Sequence, residues 1–143
     1  MKYAILFFVF LFPIKWEADF EKAKQTAATE HKLILLNFSG SDWCAPCILL
    51  RRDYLESDAF TKMADENLVL VNADFPRKKK NELSKEMTAR NESLADQYNK
   101  DGNFPFTLLL DPKGKVIKTW KGKPEVPVEE WVAEINKICL ANR

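Results

Sequence analysis

Cysteine is scarce in this chain of 143 residues, with three in all, and histidine occurs once. Three are too few for the disulfide framework of a small secreted domain, and an odd count leaves at least one thiol unpaired. Cysteine here points to chemistry rather than to stapling. Four glycines and seven prolines are too few for a fibrous or low-complexity chain. Neither sign of charge is in excess: 22 Lys and Arg stand against 21 Asp and Glu, for a net charge of +1. The field of the whole molecule therefore gives no reason to expect a polyanion, and nucleic acid is not an expected partner. No apolar run reaches the roughly 20 residues a membrane span needs. What is present, 46% hydrophobic and 30% charged residues, is the composition of a globular chain long enough for one core.

The start, "MKYAILFFVFLFPIKW", differs from the rest. Lys2 gives a positive beginning, and Tyr3 to Phe12 run apolar without a break, the length of a signal-peptide core. Residues 1–13 are read as a signal peptide or an uncleaved N-terminal anchor, with a buried strand as the alternative, and 14–143 as one domain. Export to the periplasm or cell envelope follows. Trp16, Phe20, Ala23 and Ala27 recur at helical spacing, which predicts an amphipathic helix near 17–30. "KLILLNFS" is a continuous apolar run of strand length, as strands covered on both faces are. A helix from Cys44 to Leu55 follows, another begins at Ser57-Asp58, and "LVLVNADF" is a second strand. Glu82 to Tyr98, free of Gly and Pro, predicts a further helix. "FTLLLD" and "KVIKTWK" flank the turn residues of "PKG" as a hairpin. After Pro127, the stripe Val128, Trp131, Val132, Ile135, Ile138 and Cys139 predicts a last helix. This order implies a mixed sheet, parallel where crossovers build it and antiparallel at one edge, with helices on both faces. The run Arg77-Lys78-Lys79-Lys80 reads most simply as a solvated loop, docking being the rarer use of such clusters.

The informative stretch is "NFSGSDWCAPC", where two cysteines follow a buried strand and open a helix. At the helix start, unpaired N–H groups and the positive end of the dipole favour an anion, so the Cys44 thiol is expected to be acidic and to react first. Cys47, one turn further in, should react second and from inside. Pro46 fits near a helix start, where a missing N–H costs little, and Trp43 should flank the exposed thiol. A disulfide closed over two residues restrains the unfolded chain little and exchanges readily, so the pair suits redox cycling. Zinc is the competing use, with Cys44, Cys47, Cys139 and His31 as ligands, but structural sites usually present two close pairs and the second is missing here. Cys139, in an apolar stripe, reads as a small hydrophobe.

"DWCAPC", "YLESDAF", "LVLVNADF" and "NFPFTLLLDPKGK" together make the chain resemble the thioredoxin superfamily over residues 14–141. In particular it is similar to small exported bacterial thioredoxin-like proteins and to the C-terminal domain of membrane disulfide reductases. The resemblance implies an α/β thioredoxin fold and a thiol-disulfide oxidoreductase. Cys44 would be the nucleophile and Cys47 the resolving thiol. Pro105 would be a cis residue opposite the cysteines, with Trp43, Phe104 and Pro105 bordering the bound substrate. It implies disulfide-containing proteins as substrates, a membrane-side electron donor, a monomer, and no cofactor or metal. Reductase is the favoured direction, with oxidase or isomerase, or a peptide-binding module without turnover, as rivals. Two departures stand out. The loop before Pro105 is one residue longer than usual, with Asp101-Gly102 in it. Asn37 stands where the family carries a buried, proton-accepting aspartate, and the lysine often found near that aspartate has no counterpart in "LVLVNADF".

Overall fold

The structure, a computed structural model, describes residues 13–143. The apolar run read as a signal peptide or anchor lies outside the described residues up to Phe12. Four strands, β1 (Leu33–Ser39), β2 (Leu68–Asp74), β3 (Phe106–Leu110) and β4 (Val116–Lys121), form one sheet in the order β2-β1-β3-β4. β1 pairs parallel with β2 and antiparallel with β3, and β3 and β4 form the antiparallel edge hairpin. The mixed sheet expected from the alternation of elements is therefore present. All seven residues of β1 are buried, because both faces of this central strand are covered.

Side chains alternate across a strand, so each face of β1 has its own core. Leu33 and Leu35 pack with Leu50, Tyr54, Phe60, Trp131, Ile135 and Cys139, whereas Ile34, Leu36 and Phe38 pack with Ala23, Ala27 and Leu94. The first group belongs to α2 (Ala45–Leu50) with its continuation Arg51–Leu55, α3 (Asp58–Asn67) and α5 (Val128–Ala141); the second belongs to α1 (Phe20–Glu30) and α4 (Lys85–Tyr98). Trp131 is the hub of the first core, stacked on Phe60 with centroids 5.9 Å apart and edge-on to Tyr54 at 5.8 Å. Burying each large apolar side chain contributes about 1.5–3 kcal/mol. Ala23 and Ala27, fully buried, let α1 lie close on the sheet.

Two helix starts differ from the sequence reading, and one helix changes its winding partway along. α1 begins at Phe20, not near 17, because the Asp19 carboxylate caps it, accepting from Glu21 N–H (2.9 Å) and Lys22 N–H (3.1 Å). Trp16 lies before the helix in a short parallel bridge to Leu70. α4 begins at Lys85 rather than Glu82, with the Ser84 hydroxyl accepting from Met87 N–H at 3.1 Å; Lys79–Asn81 form a separate 3₁₀ turn. The helix opened by the cysteines runs to Leu55, but its second half, Arg51–Leu55, is wound as a π-helix.

Candidate active site

Beyond β1 the chain turns through Gly40 to Trp43 and enters α2. Cys44 is the N-cap residue, in extended backbone, and its carbonyl accepts the first helical bond from Ile48 N–H at 3.1 Å. Pro46 sits in the first turn, where no backbone donor is wanted. Cys44 and Cys47 are joined by a disulfide, with their Cα atoms 5.3 Å apart. The sulfurs are more covered than the expectation of an exposed thiol implied. In the oxidised state Cys44 is 6% exposed and Cys47 3%, so Cys44 is the more open of a largely enclosed pair. The Gly40 N–H points at the Cys47 sulfur, 3.5 Å away, which seats Cys47 over the end of β1. Gly40 also admits the Trp43 indole: a Cβ there would lie 2.3 Å from Cε2 of that ring.

The peptide bond Phe104–Pro105 is cis. It leads into β3, and the Pro105 carbonyl accepts from Gly122 N–H at 2.8 Å. Phe104 brings this segment against the redox motif: its ring meets Trp43 edge-on at 5.4 Å and Phe75 at 5.5 Å. Trp43, Phe104, Pro105 and the two cysteines are thus collected at one end of the sheet. The longer loop ahead of Pro105 is closed by Asn99, 5% exposed, whose side chain donates to the Asn103 carbonyl and accepts from Asn103 N–H, both at 2.9 Å. Gly102 supplies the positive φ, 67°, that this turn takes.

Asn37 is 4% exposed and faces the same side of the sheet as Leu33 and Leu35, below α2. In register it stands between Asn72 on β2 and Thr107 on β3. Its amide donates to the Asn72 side-chain oxygen at 3.0 Å, and its own oxygen accepts from the Thr107 hydroxyl at 3.1 Å. The position is satisfied by neutral partners and carries no ionisable group.

Sequence reasoning missed the residues that fasten the rim. Asp42 accepts from the backbone N–H groups of Arg77 and Lys78 and from the Asn81 amide, each at 2.9 Å. Those bonds, Arg77 N–H foremost, hold its carboxyl down to a pKa of about 2. The Arg77 guanidinium lies 3.7 Å from the centroid of the Trp43 ring, and the indole N–H donates to the Phe75 carbonyl at 2.7 Å. The Asp74 carboxylate receives both the N–H (2.9 Å) and the hydroxyl of Ser41. The acid inside "SDWC" was the available signal, but its partners are some 35 residues away in sequence. The alternative zinc set is not assembled. His31 is exposed at the end of α1, before β1 begins, while the disulfide lies beyond the other end of that strand. Cys139 is 2% exposed inside the core of α5, where burial raises its thiol pKa to about 11.

With a disulfide-bonded cysteine pair at the start of the helix leaving the central strand, and a cis-proline at the entry to its antiparallel neighbour, the molecule falls in the thioredoxin-fold class. Comparison with known proteins agrees. The chain belongs to the thioredoxin-like family, whose model matches residues 15–112. It is 36% identical over 104 residues to the disulfide bond reductase DsbH of Chlamydia pneumoniae, a match covering 73% of this chain and 60% of that protein. The chain thus spans about three fifths of the length of that curated relative. Among solved structures, a DsbH oxidoreductase superposes with a TM-score of 0.79 at 32% identity, over 92% of this chain and 88% of the other. The C-terminal domain of Neisseria meningitidis DsbD in its oxidised form, at 20% identity, shares the fold with a TM-score of 0.57, over 90% and 100% of the two chains.

Proposed function

We propose that this protein is a thiol-disulfide oxidoreductase that reduces disulfide-containing proteins in the cell envelope. The observation that carries the reading is the Cys44–Cys47 disulfide at the start of α2, with the cis Phe104–Pro105 segment packed against Trp43 beside it. In the reduced protein the Cys44 thiolate attacks one sulfur of a substrate disulfide, and the other substrate sulfur leaves as a thiolate and takes a proton. Cys47, deprotonated, then attacks the Cys44 sulfur of the mixed disulfide. The second substrate thiol leaves, and the protein retains the disulfide seen here, two electrons having passed to the substrate. Trp43, Phe104 and Pro105 form the surface on which the substrate segment lies. A donor, which for an exported protein has to be reached from the membrane side, returns the pair to dithiol. The reductase direction is supported by the reductase named among the relatives. Residues 1–13 act as a signal peptide or anchor in this reading, and the family match beginning at residue 15 supports separating them from the domain. Among the described residues no helix is long and apolar enough to cross a membrane.

Equilibration of the Cys44–Cys47 couple with glutathione tests the direction. A reductase should lie near the thioredoxin value of about −270 mV, and an oxidant near about −120 mV. A value at the oxidising end would replace reductase with oxidase. Cys47→Ser should also trap disulfide partners as mixed disulfides, and Cys44→Ser should not. Failure of both trapping and reduction would leave a peptide-binding module.

A further inference from the structure

We propose that the loop Arg77–Lys80 is a docking surface for an acidic segment of the substrate protein, held ready beside the redox pair by Asp42 and Trp43. The proposal deepens the reductase reading and rests on it. A run of four cations on a loop is ordinarily solvated and free to move. Here its backbone is fastened to the redox motif itself through two N–H bonds to Asp42, with the Asn81 amide giving a third bond just after the loop and the Arg77 guanidinium stacked on Trp43. A 3₁₀ turn, with Asn81 N–H donating to the Lys78 carbonyl at 2.9 Å, fixes the residues that follow.

The way the loop is fastened leaves its cations available. Asp42 takes its hydrogen bonds from backbone N–H groups and an amide; the Lys78 charge is near enough to help lower its carboxyl pKa, but no ammonium group forms an ion pair with it among the described residues, so the anchor offsets one charge of four and leaves the side chains free. All four side chains are exposed, and none takes part in an ion pair among the described residues. Glu82, the next acidic residue along, reaches none of them. The molecule carries a net charge of only +1, so this is a local concentration of charge rather than a share of a basic surface. The groove of about 480 Å³ behind the loop is lined by the carboxylates Asp74, Glu82 and Glu92 as well as by Arg77, Lys78 and Lys79, so the acidic segment is assigned to the exposed face of the loop and not to the groove. A ligand that uses this charge must also present a disulfide to Cys44, which selects a protein whose chain near its cystine carries Asp and Glu. Opposed charge at a rim chiefly raises the encounter rate, by about 10- to 10³-fold, and the gain fades with salt.

The test uses the full chain and three synthetic cystine peptides that differ only in flanking residues: Glu, Gln or Lys. At 20 mM NaCl the reduced protein should reduce the Glu peptide roughly tenfold faster than the Gln peptide, with the Lys peptide slowest. At 1 M NaCl, where the screening length is about 3 Å, the rates should converge. In the variant Lys78→Gln, Lys79→Gln, Lys80→Gln the Glu-to-Gln ratio should fall to about one; a ratio taken within one variant cancels changes in the chemistry common to both peptides. Equal rates for Glu and Gln peptides in the wild type would overturn the proposal. So would a ratio that the variant retains, or selective binding of phosphatidylglycerol vesicles with no peptide preference. Neutral 2-hydroxyethyl disulfide reports the reductase reading separately. Should that substrate not be reduced, calorimetric titration with the Glu peptide bearing serine for cysteine decides the docking alone. Binding that the triple variant loses supports the proposal, and no binding overturns it.

Discussion

Asn37→Asp returns to the sheet the carboxyl group that the family resemblance leads one to expect there. The new group would be enclosed as Asn37 is, at 4% exposure, with the Thr107 hydroxyl as one donor and the Asn72 amide as a second once it turns its nitrogen inward. Desolvation raises a buried carboxyl pKa by up to about 3–5 units, and two hydrogen bonds to the charged form recover part of that. A net rise of about 2 units, from about 3.9 to about 6, corresponds to about 2.7 kcal/mol at about 1.36 kcal/mol per unit. Because the folded-state pKa is the higher one, the folded protein holds the proton more tightly. The variant should therefore match the wild type below about pH 4, lose stability as the pH rises through about 6, and stay about 2.7 kcal/mol below the wild type at pH 8. For a domain of this size that is a melting shift of about 10 °C. Thermal unfolding followed by circular dichroism at pH 3.5, 6 and 8 measures it. A deficit that does not change with pH would mean that position 37 is hydrated, and the enclosed network described here would be wrong. The kinetic counterpart is release of the mixed disulfide. Cys47 sits above Gly40, three residues along from Asn37, so a carboxylate there could take its proton through water. A general base contributes about 10²–10⁴-fold, and an indirect one about 10²-fold or less. Stopped-flow release of a Cys44-linked probe between pH 6 and 9 should therefore be faster in the variant above pH 6. Superimposable profiles would remove residue 37 from the proton route.

After mild reduction at pH 8, limiting iodoacetamide should label Cys44 first and Cys47 more slowly. Cys139, with a thiol pKa near 11, should react only on unfolding; peptide mapping that finds Cys139 labelled early would refute its enclosure. Gly40→Ala puts a methyl group 2.3 Å from the Trp43 ring, so the indole has to move and give up its bond to Phe75. The expected cost is about 1–3 kcal/mol in urea unfolding, with slower reduction of peptides. The Asp42 carboxyl is lowered to about 2, so its contribution to anchoring the loop is complete above the ordinary carboxylate range and is lost as the pH falls through about 2. Amide chemical shifts of Arg77 and Lys78 should stay constant from pH 7 to 4 and move only in stronger acid.

The fold could be read because most of its signals are local. A strand buried on both faces has to be apolar throughout, and "LILLNFS" is so except at Asn37 and Ser39. Dipeptide turns and the stripe of α5 likewise work over a few residues. The errors came where a side chain overrode the pattern of its neighbours. Trp16 has the spacing of a helical residue, but the carboxylate of Asp19 closes the helix behind it. Leu83 continues the apolar series of α4, yet the Ser84 hydroxyl caps the helix one residue later.

The site divides along the same line. Cys44 and Cys47 were legible because their chemistry needs only a spacing of three and a helix start. Asn37 was visible as a polar residue in an apolar run, but its partners depend on register: Asn72 and Thr107 face it only because β2 pairs in parallel and β3 in antiparallel alignment at that residue. No local pattern encodes that coincidence. The same holds for Asp42, whose function is set by where the chain returns after β2. A charge cluster that reads as solvated from sequence becomes a fixed feature once one carboxylate captures two of its backbone donors. What the sequence hides is therefore the set of polar contacts between segments distant in the chain, which set the surroundings of Asn37 and the position of the cationic loop.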